Sequence, residues 1–186
     1  MENSQFLKMG SLKVLLFVSV LLLVSGCSYY GGIKGTVVDN TTGKPIEGAV
    51  VVAQWTKPRG LPGMQYHNLH KITETLTDKE GKFSLSGTIG ILIDPPEMII
   101  YKNGYIPWRN DSVFPSMNKV KNNEWNDCQT YKLDKNAITE KEVTVLSMFV
   151  SHAFMTEGLD SVPKFNTITR NLDNNSYEAI QKAKQK

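Results

Sequence analysis

The chain has 186 residues, of which 40% are hydrophobic and 21% charged, and its formal net charge is +3. These values are typical of a globular protein and not of a disordered one, and the length suits one domain with some residues to spare. Lysines and arginines are scattered and form no basic stripe interleaved with aromatic residues, which argues against nucleic acid as a partner. The two cysteines of the sequence are Cys27 and Cys128.

The first 26 residues have the pattern of a secretory leader. A lysine-containing flank precedes the apolar run Val14–Val24, which is shorter than the about 20 residues that a membrane-spanning helix needs. Two small residues, Ser25 and Gly26, then precede Cys27. The sequence therefore predicts a signal peptide over residues 1–26.

The four residues "VSGC" that end at Cys27 resemble the lipobox of bacterial lipoproteins. The resemblance implies that Cys27 receives a diacylglyceryl thioether, becomes the first residue of the mature chain and is then N-acylated, with fatty acids such as palmitate. Each buried methylene contributes about 0.8 kcal/mol, so two or more chains anchor a protein stably where one does not. The alternative is an ordinary secretory signal followed by an incidental cysteine.

The resemblance also implies a location. Ser28 is not the aspartate that is associated with retention in the inner membrane of some bacteria. We therefore expect a lipid-anchored protein of the outer membrane, on its periplasmic or its surface face. Residues 27–32 are predicted to be a short lipidated tether.

Cys128 has no partner for an intramolecular disulfide if Cys27 is acylated. The sequence around Cys128 contains no histidine of the kind that activates a nucleophilic thiol. We expect a buried, inert thiol, against the alternatives of a reactive or an intermolecular one.

From Ile33 onward, short β-branched and apolar segments alternate with turns rich in Gly, Pro, Asn and Asp. This pattern is typical of an antiparallel sandwich of about 100 residues, which we place at 33–134. The predicted strands are Ile33–Asp39, Ala49–Trp55, a weaker one in "HKITETLT", "KFSLS", Met98–Lys102 and Gln129–Asp134.

Three blocks of this region resemble a carboxypeptidase-regulatory-like domain, which is a prealbumin-like, or transthyretin-like, β-sandwich. The first block comprises Gly35, Val37, Asp39, Thr42, Gly43, Pro45 and Gly48–Val51, the second is "TDKEGKFSL", and the third is Gly104–Tyr105. The resemblance implies a mainly β fold and an accessory role, since the peptidase of that family is a separate domain. The related transthyretin-like hydrolases carry a C-terminal "YRGS"-type motif that this sequence lacks.

After Asp134 the hydrophobic period becomes helical. Val143, Leu146, Val150 and Phe154 share one face, which Val145, Met148 and Phe149 widen, and Thr139 with Glu142 has the spacing of a capping box. A second helix is indicated by Pro163 followed by Phe165, Ile168 and Leu172. We predict that residues 135–186 form a helical extension whose two helices pack on the sandwich.

The loop from Thr56 to Leu69 is the first candidate for binding, because long loops on a rigid sandwich often carry function. Within it we select Arg59, Tyr66 and His67 as ligand-binding residues. Trp108 is the fourth candidate and lies in a second irregular region with Arg109 and Trp125. The alternative is that these aromatic residues cover the edge of the sandwich or the helices.

No sequence motif for catalysis or for a metal is present. His67 and His70 form one possible metal pair, but no third ligand is close in sequence. The sequence contains no HExxH, no GxSxG elbow and no phosphate-binding GxxxxGK[ST]. We expect no catalytic residues, no metal and no cofactor.

These observations favour a lipid-anchored binding or accessory module of the cell envelope without catalytic activity. It contacts the membrane through the lipidated N-terminus, and its partner would be an envelope protein or a glycan. Two alternatives are a structural subunit of an envelope assembly and a hydrolase with a site in the 56–70 loop.

Overall fold

The computed structural model describes residues 27–120, 128–135, 140–151, 160–167 and 169–170. Among them, no helix has both the length and the apolar character required to span a bilayer. The predicted leader (1–26) lies outside the described residues, as does Trp125.

The described residues form eleven strands and one helix of twelve residues. In chain order these are β1 (Cys27–Tyr30), β2 (Ile33–Asp39), β3 (Val50–Arg59), β4 (Tyr66–Leu76), β5 (Lys82–Leu85), β6 (Thr88–Ile91), β7 (Glu97–Tyr101), β8 (Trp108–Arg109), β9 (Ser112–Val113), β10 (Asn118–Lys119), β11 (Gln129–Leu133) and α1 (Glu140–Ser151). Further helical turns lie at 163–167 and 169–170.

Two sheets face each other and confirm the predicted sandwich. One sheet has the order β4-β3-β7-β8 and the other the order β11-β2-β5. Their inner faces share one apolar core, which joins Val51 and Trp55 of β3 to Val37, Phe83 and Tyr131 of the facing sheet. Strands pair antiparallel throughout the described residues, except that β11 runs parallel to β2. The sandwich is therefore mixed at this one pair.

Gly35 leaves space for two aromatic side chains in the core. A Cβ at this buried position would lie 2.7 Å from the ring of Tyr131 and 2.8 Å from the ring of Phe83. The two rings pack against each other with centroids 5.7 Å apart. Any larger residue at position 35 would separate the aromatic side chains that fill this part of the core.

Strand β3 is the centre of the fold, because residues 50–55 are buried on both faces. Its second face forms another apolar cluster with Ile99 and Tyr101 of β7. Leu146 and Val150 of α1 cover this cluster, together with Val162 and Phe165, as the predicted helical faces require. The prediction that two C-terminal helices pack on the sandwich is confirmed.

The helix differs in detail from its predicted face. Phe149 is fully buried, whereas Met148, which we expected to widen the apolar stripe, is half exposed. The predicted positions Thr139, Phe154, Ile168 and Leu172 lie outside the described residues, as does the side chain of Val143.

Arg109 fastens α1 to the sheet. Its Nη1 donates to the backbone carbonyl of Phe149 at 2.8 Å, and its guanidinium lies 5.1 Å from the ring of that residue. Nε and Nη2 each donate to one oxygen of Asp111 at 2.7 Å. Burial alone would raise the pKa of Asp111, but the hydrogen bonds and charge of Arg109 lower it overall. The buried guanidinium of Arg109 therefore donates a hydrogen bond to a carbonyl near the end of α1, and the carboxylate of Asp111 neutralises its charge.

The segment predicted as a tether contains strand β1. Cys27–Tyr30 pairs antiparallel with β6, and Cys27 lies opposite Ile91. The hydroxyl of Tyr30 donates to the carbonyl of Ile93 at 3.1 Å, which connects this ribbon to the core. The predicted tether is thus part of a two-stranded ribbon.

The segment predicted as a long loop is mostly a hairpin. Strand β3 continues to Arg59 and β4 begins at Tyr66, so the connection spans only residues 60–65. A β-bulge at His70 shifts the register between Trp55 and Thr56. We call the part of this hairpin from Thr56 to His70 the arm. Strand β7 pairs only with residues 50–54 of β3, so beyond Gln54 this strand is an edge strand. Pro58, which lacks a backbone N–H, is tolerated at such an edge.

The prediction of a buried Cys128 is wrong, because this residue is exposed. It lies in the turn before β11 with φ of 62°, and its backbone N–H donates to the carbonyl of Lys34 at 2.8 Å. Alternation begins only with the strand itself, in which Tyr131 and Leu133 are buried. Cys128 precedes the strand by one residue, so this alternation does not predict whether its side chain is buried.

The predicted turn after β2 depends on a buried carboxylate. Oδ1 of Asp39 accepts the backbone N–H groups of Thr41 and Thr42 at 3.0 and 2.8 Å, and Oδ2 accepts the hydroxyl of Tyr105 at 3.1 Å. The backbone hydrogen bond from Thr42 is the main cause that lowers the pKa of Asp39 to about 2, against the opposing effect of burial. Gly43 completes the turn with φ of 68°.

We expect Asp39 to make unfolding dependent on pH in the acid range. Because its pKa is lower in the folded state, the ionised carboxylate contributes stability above its ordinary pKa near 4, and this contribution is lost as the pH falls toward about 2. Asp39→Asn should reduce the slope of unfolding free energy against pH in this window, as measured by chemical denaturation. Equal slopes for the two proteins would contradict this assignment.

We expect Leu146→Ala to lower the free energy of unfolding by about 2–5 kcal/mol, because it opens a cavity between α1 and the sheet. Met148→Ala, on the half-exposed face of the same helix, is the matched control and should change it by less than about 0.5 kcal/mol. Urea denaturation of the purified proteins measures both values. Similar small effects at both positions would show that α1 does not pack on the sandwich.

Candidate functional site

The structure divides the four predicted ligand-binding residues between separate places. Arg59 and Tyr66 form a directly opposed cross-strand pair at the outer end of the arm, where both are exposed. His67 follows Tyr66 on β4 and lies opposite Pro58. Because side chains alternate along a strand, His67 points to the opposite face of the arm from Tyr66.

Trp108 lies far from these three residues. It pairs with Ile100 of β7, which pairs with Val51 of β3, eight residues before Arg59. At about 3.3 Å per residue this is a separation of roughly 25 Å along the sheet. Trp108 is half-buried and packs edge-on against Tyr131 with centroids 4.8 Å apart. Trp108 therefore packs against the core of the sandwich.

Trp108 also lines a cavity of about 490 Å³. The wall is of mixed polarity and includes Arg109, Phe114 and Lys132. Val120 and Gln129 also line it.

A polar cluster lies at the base of the arm on the face of His67. Nδ1 of His67 lies 2.9 Å from Oδ2 of Asp94, and the hydroxyl of Thr56 donates to the same oxygen at 2.8 Å. The backbone N–H of Asp94 donates to the carbonyl of Thr56 at 2.9 Å. Asp94 is thus held in place on both its backbone and its side chain, and it orients the imidazole.

Two further residues extend this cluster along the sheet. Nε2 of Gln54 donates to Oε2 of Glu97 at 2.6 Å. Gln54 and Thr56 share a face of β3, and Glu97 is the register partner of Gln54 on β7. The pair therefore lies beside the Thr56–Asp94–His67 group.

These side chains line a cavity of about 360 Å³. Its lining consists of Gln54, Thr56, His67, Asp94, Pro95, Glu97 and Lys119. The volume is near the lower end of the range of roughly 300–1,000 Å³ found for small-molecule sites. We call it the polar cavity. Its lining therefore carries two carboxylates, an amide, a hydroxyl, an imidazole and one lysine side chain.

The polar cavity presents hydrogen-bonding groups to a ligand. In the described residues, the hydrogen bonds of the cluster use Oδ2 of Asp94 and Oε2 of Glu97, and the second oxygen of each carboxylate is a further acceptor for a ligand. Lys119 supplies donors from β10. This set matches a ligand that carries hydroxyl or amine groups.

The arrangement is not that of a nucleophile activated by a base. Acyl transfer requires the hydroxyl to donate to the imidazole, with the carboxylate behind it. Here the hydroxyl of Thr56 and the imidazole of His67 both bind the same carboxylate oxygen. The cluster can bind and orient a ligand, but this arrangement of hydrogen bonds does not activate the hydroxyl of Thr56 as a nucleophile.

His67 and His70 do not form a pair. Nε2 of His70 lies 3.2 Å from the hydroxyl of Thr88 on β6. Burial lowers the pKa of His70, and the nearby charges of Lys57 and Lys71 lower it further. In the part of the chain that the structure describes, no three His, Cys, Asp or Glu side chains form a group that could hold a metal.

Sequence reasoning missed most of the polar cavity. Gln54, Asp94, Glu97 and Lys119 were not among the predicted residues. One signal was available, because Gln54 is a polar residue within the otherwise apolar strand "AVVVAQW" and is buried. A buried amide needs a hydrogen-bonding partner, and here the partner is Glu97.

Comparison with known proteins finds no matching family model and no matching curated protein. Among solved structures, a streptococcal ancillary pilin has 15% identity and a TM-score of 0.32 over 58% of this chain and 30% of its own. The shaft pilin SpaA from Lactobacillus rhamnosus GG has 15% identity and a TM-score of 0.31 over 60% of this chain and 48% of its own. Its isolated C-terminal domain has 14% identity and a TM-score of 0.30 over 59% of this chain and 99% of its own. The chain thus spans less than half the length of the first two pilins.

Proposed function

We propose that this chain is a lipid-anchored module of a bacterial cell envelope that binds a glycan without transforming it. The observation that carries the binding role is the polar cavity. It gathers hydrogen-bonding side chains from β3, β4, β7 and β10 around one space. Sites that bind small polar molecules place a few such groups at fixed positions.

The chemistry of the polar cavity favours a glycan over a protein partner. Carboxylates and an amide accept hydrogen bonds from vicinal hydroxyl groups, and Lys119 donates to ring or carbonyl oxygens. The cavity is small and concave, whereas a stable protein interface needs about 800 Å² from each partner. A saccharide unit, including an amino sugar, fits these donors and acceptors.

The anchor is supported by the sequence and by the position of Cys27. The "VSGC" pattern predicts acylation, and the cysteine begins a strand that pairs with β6. An acylated Cys27 would therefore hold the folded domain beside the membrane without an intervening linker. The polar cavity would lie close to the envelope glycans of the cell that carries it.

We expect Glu97→Gln to weaken glycan binding by about tenfold to a hundredfold. The change removes the charge that accepts ligand hydroxyls, and a hydrogen bond to a charged group contributes about 1.5–3 kcal/mol. Isothermal titration of the detergent-solubilised protein with fragments of bacterial envelope glycans measures the affinity. Asp94→Asn should act in the same direction.

The matched control is Glu80→Gln, which makes the same change at an exposed turn near the opposite end of the sandwich. It should bind like the wild-type protein. Thermal unfolding of all variants separates lost binding from lost folding. Unchanged affinity in Glu97→Gln, or no binding of any glycan fragment by the wild-type protein, would contradict the proposal.

A further inference from the structure

The most exposed apolar side chains are concentrated at one end of the molecule. Leu61 and Met64, at the tip of the arm, are 73% and 80% exposed, and Ile91 and Leu92 are 63% and 65% exposed. The six most exposed large apolar side chains of the described residues are Leu61, Met64, Tyr66, Ile89, Ile91 and Leu92. Three belong to the arm, and three belong to β6 and the residue after it.

The sheet topology brings these two groups to the same end. Strand β4 runs from the tip of the arm to Leu76, and β5 returns in the opposite direction after the turn at 77–81. Strand β6 then continues past the sandwich beside the arm, where Thr88 contacts His70. Lys71 donates to the carbonyl of Gly87 in the same place. The ribbon of β1 and β6 therefore extends toward the tip of the arm.

Cys27 lies at this end as well. Its register partner is Ile91, one of the exposed apolar residues. In sequence, only Ser25 and Gly26 separate the apolar run Val14–Val24 from Cys27. Since Cys27 and Ile91 are directly opposed in the pairing of β1 with β6, acylation of Cys27 would bring a bilayer to this end of the molecule.

The charges of the arm suit the surface of an anionic membrane. Residues 56–71 include Lys57, Arg59 and Lys71 and no acidic residue. Asp94 contacts the arm, and its carboxylate is bound by Thr56 and His67. Basic residues that border apolar ones are typical of proteins that lie in the headgroup region of a bilayer.

We propose that this end of the molecule, which we call the docking end, is a second membrane-binding element. The docking end comprises the six apolar residues given above together with Lys57 and Arg59. Its apolar side chains enter the headgroup region of the bilayer in which Cys27 is anchored. This inference rests on the proposed acylation of Cys27 and deepens it, because it fixes the orientation of the domain on the membrane.

A concentration of exposed apolar side chains at one end of a protein is typical of an interaction surface. A second protein copy is the other possible occupant. The position of Cys27 favours the membrane, since acylation there brings the bilayer to these residues without any further binding event. The sandwich would then stand on its arm, with the turns near Asp39 and Asp78 pointing away from the membrane.

The test uses the mature protein purified from membranes, with Cys128→Ser to remove the second thiol. Met64→Cys is labelled with an environment-sensitive fluorophore, and Lys79→Cys, an exposed site near the opposite end, is the matched control. Each protein is reconstituted in phosphatidylglycerol–phosphatidylcholine vesicles, some of which contain lipids with a quencher near the headgroup. A probe inserted about 5–10 Å into the interface loses most of its fluorescence to these lipids. We expect this loss at position 64 and none at position 79.

The failure of docking and the failure of the anchor are distinguishable. The mass of each purified protein reports acylation before the vesicles are made. If the protein is acylated but position 64 is quenched no more than position 79, docking is overturned and the anchor stands. If Cys27 carries no acyl group, the anchor is overturned. In that case, quenching at position 64 that increases with lipid concentration would still support docking.

Two further measurements complete the test. Quenching at position 64 should be greater in vesicles that contain phosphatidylglycerol than in pure phosphatidylcholine, and Lys57→Gln with Arg59→Gln should abolish the difference. A spectral shift of the position 64 probe that rises with protein concentration in the absence of vesicles would assign the docking end to contact between copies. That result would overturn the proposal.

Discussion

The structure depends on the pairing and burial of β3. This strand pairs with β4 over its whole length and with β7 over residues 50–54, and it is buried on both faces there. One face forms the sandwich core, and the other receives α1 and the helical turns that follow. Each of the two apolar clusters contains alternate residues of β3. Loss of this strand would therefore disrupt both clusters.

The continuation of β3 beyond the sandwich creates both proposed functional surfaces. Past Trp55 the strand keeps β4 as its partner but no longer pairs with β7, so the two strands form an arm. Alternation gives this arm two different faces. Thr56 and His67 contribute to the polar cavity on one face, whereas Lys57 and Arg59 lie on the face toward the ribbon of β1 and β6. Ligand binding and membrane contact would therefore use opposite faces of one hairpin.

The sequence predicted the regular part of this fold well, because apolar periodicity reports burial. Strand β2 was predicted with its exact bounds, and the alternation of Phe83 and Leu85 matched the buried positions of β5. The arm was interpreted as a loop because Pro58, Gly60 and Gly63 are turn residues, and an exposed hairpin has no apolar pattern to reveal it. Strand β1 was missed for a related reason. It has only four residues and pairs with an equally short, partly exposed strand, so its sequence shows no apolar periodicity.

The candidate site was predicted only in part, since it depends on contacts between residues distant in sequence. His67 belongs to the polar cavity, but its partner Asp94 is 27 residues away and follows a kink at Leu92, where φ is 53°. Gln54 and Glu97 meet only because β3 and β7 are neighbours. Trp108 was selected for its residue type, and it lies apart from the polar cavity, packed against Tyr131.

We propose that acyl chains at Cys27 hold the folded domain directly against a bacterial membrane. The most direct test is a mass spectrum of the N-terminal peptide of the mature protein from native membranes. We predict a peptide that begins at Cys27 and carries a diacylglyceryl thioether together with an amide-linked acyl chain. A peptide with an unmodified thiol at position 27, or one that still contains the leader, would contradict the account.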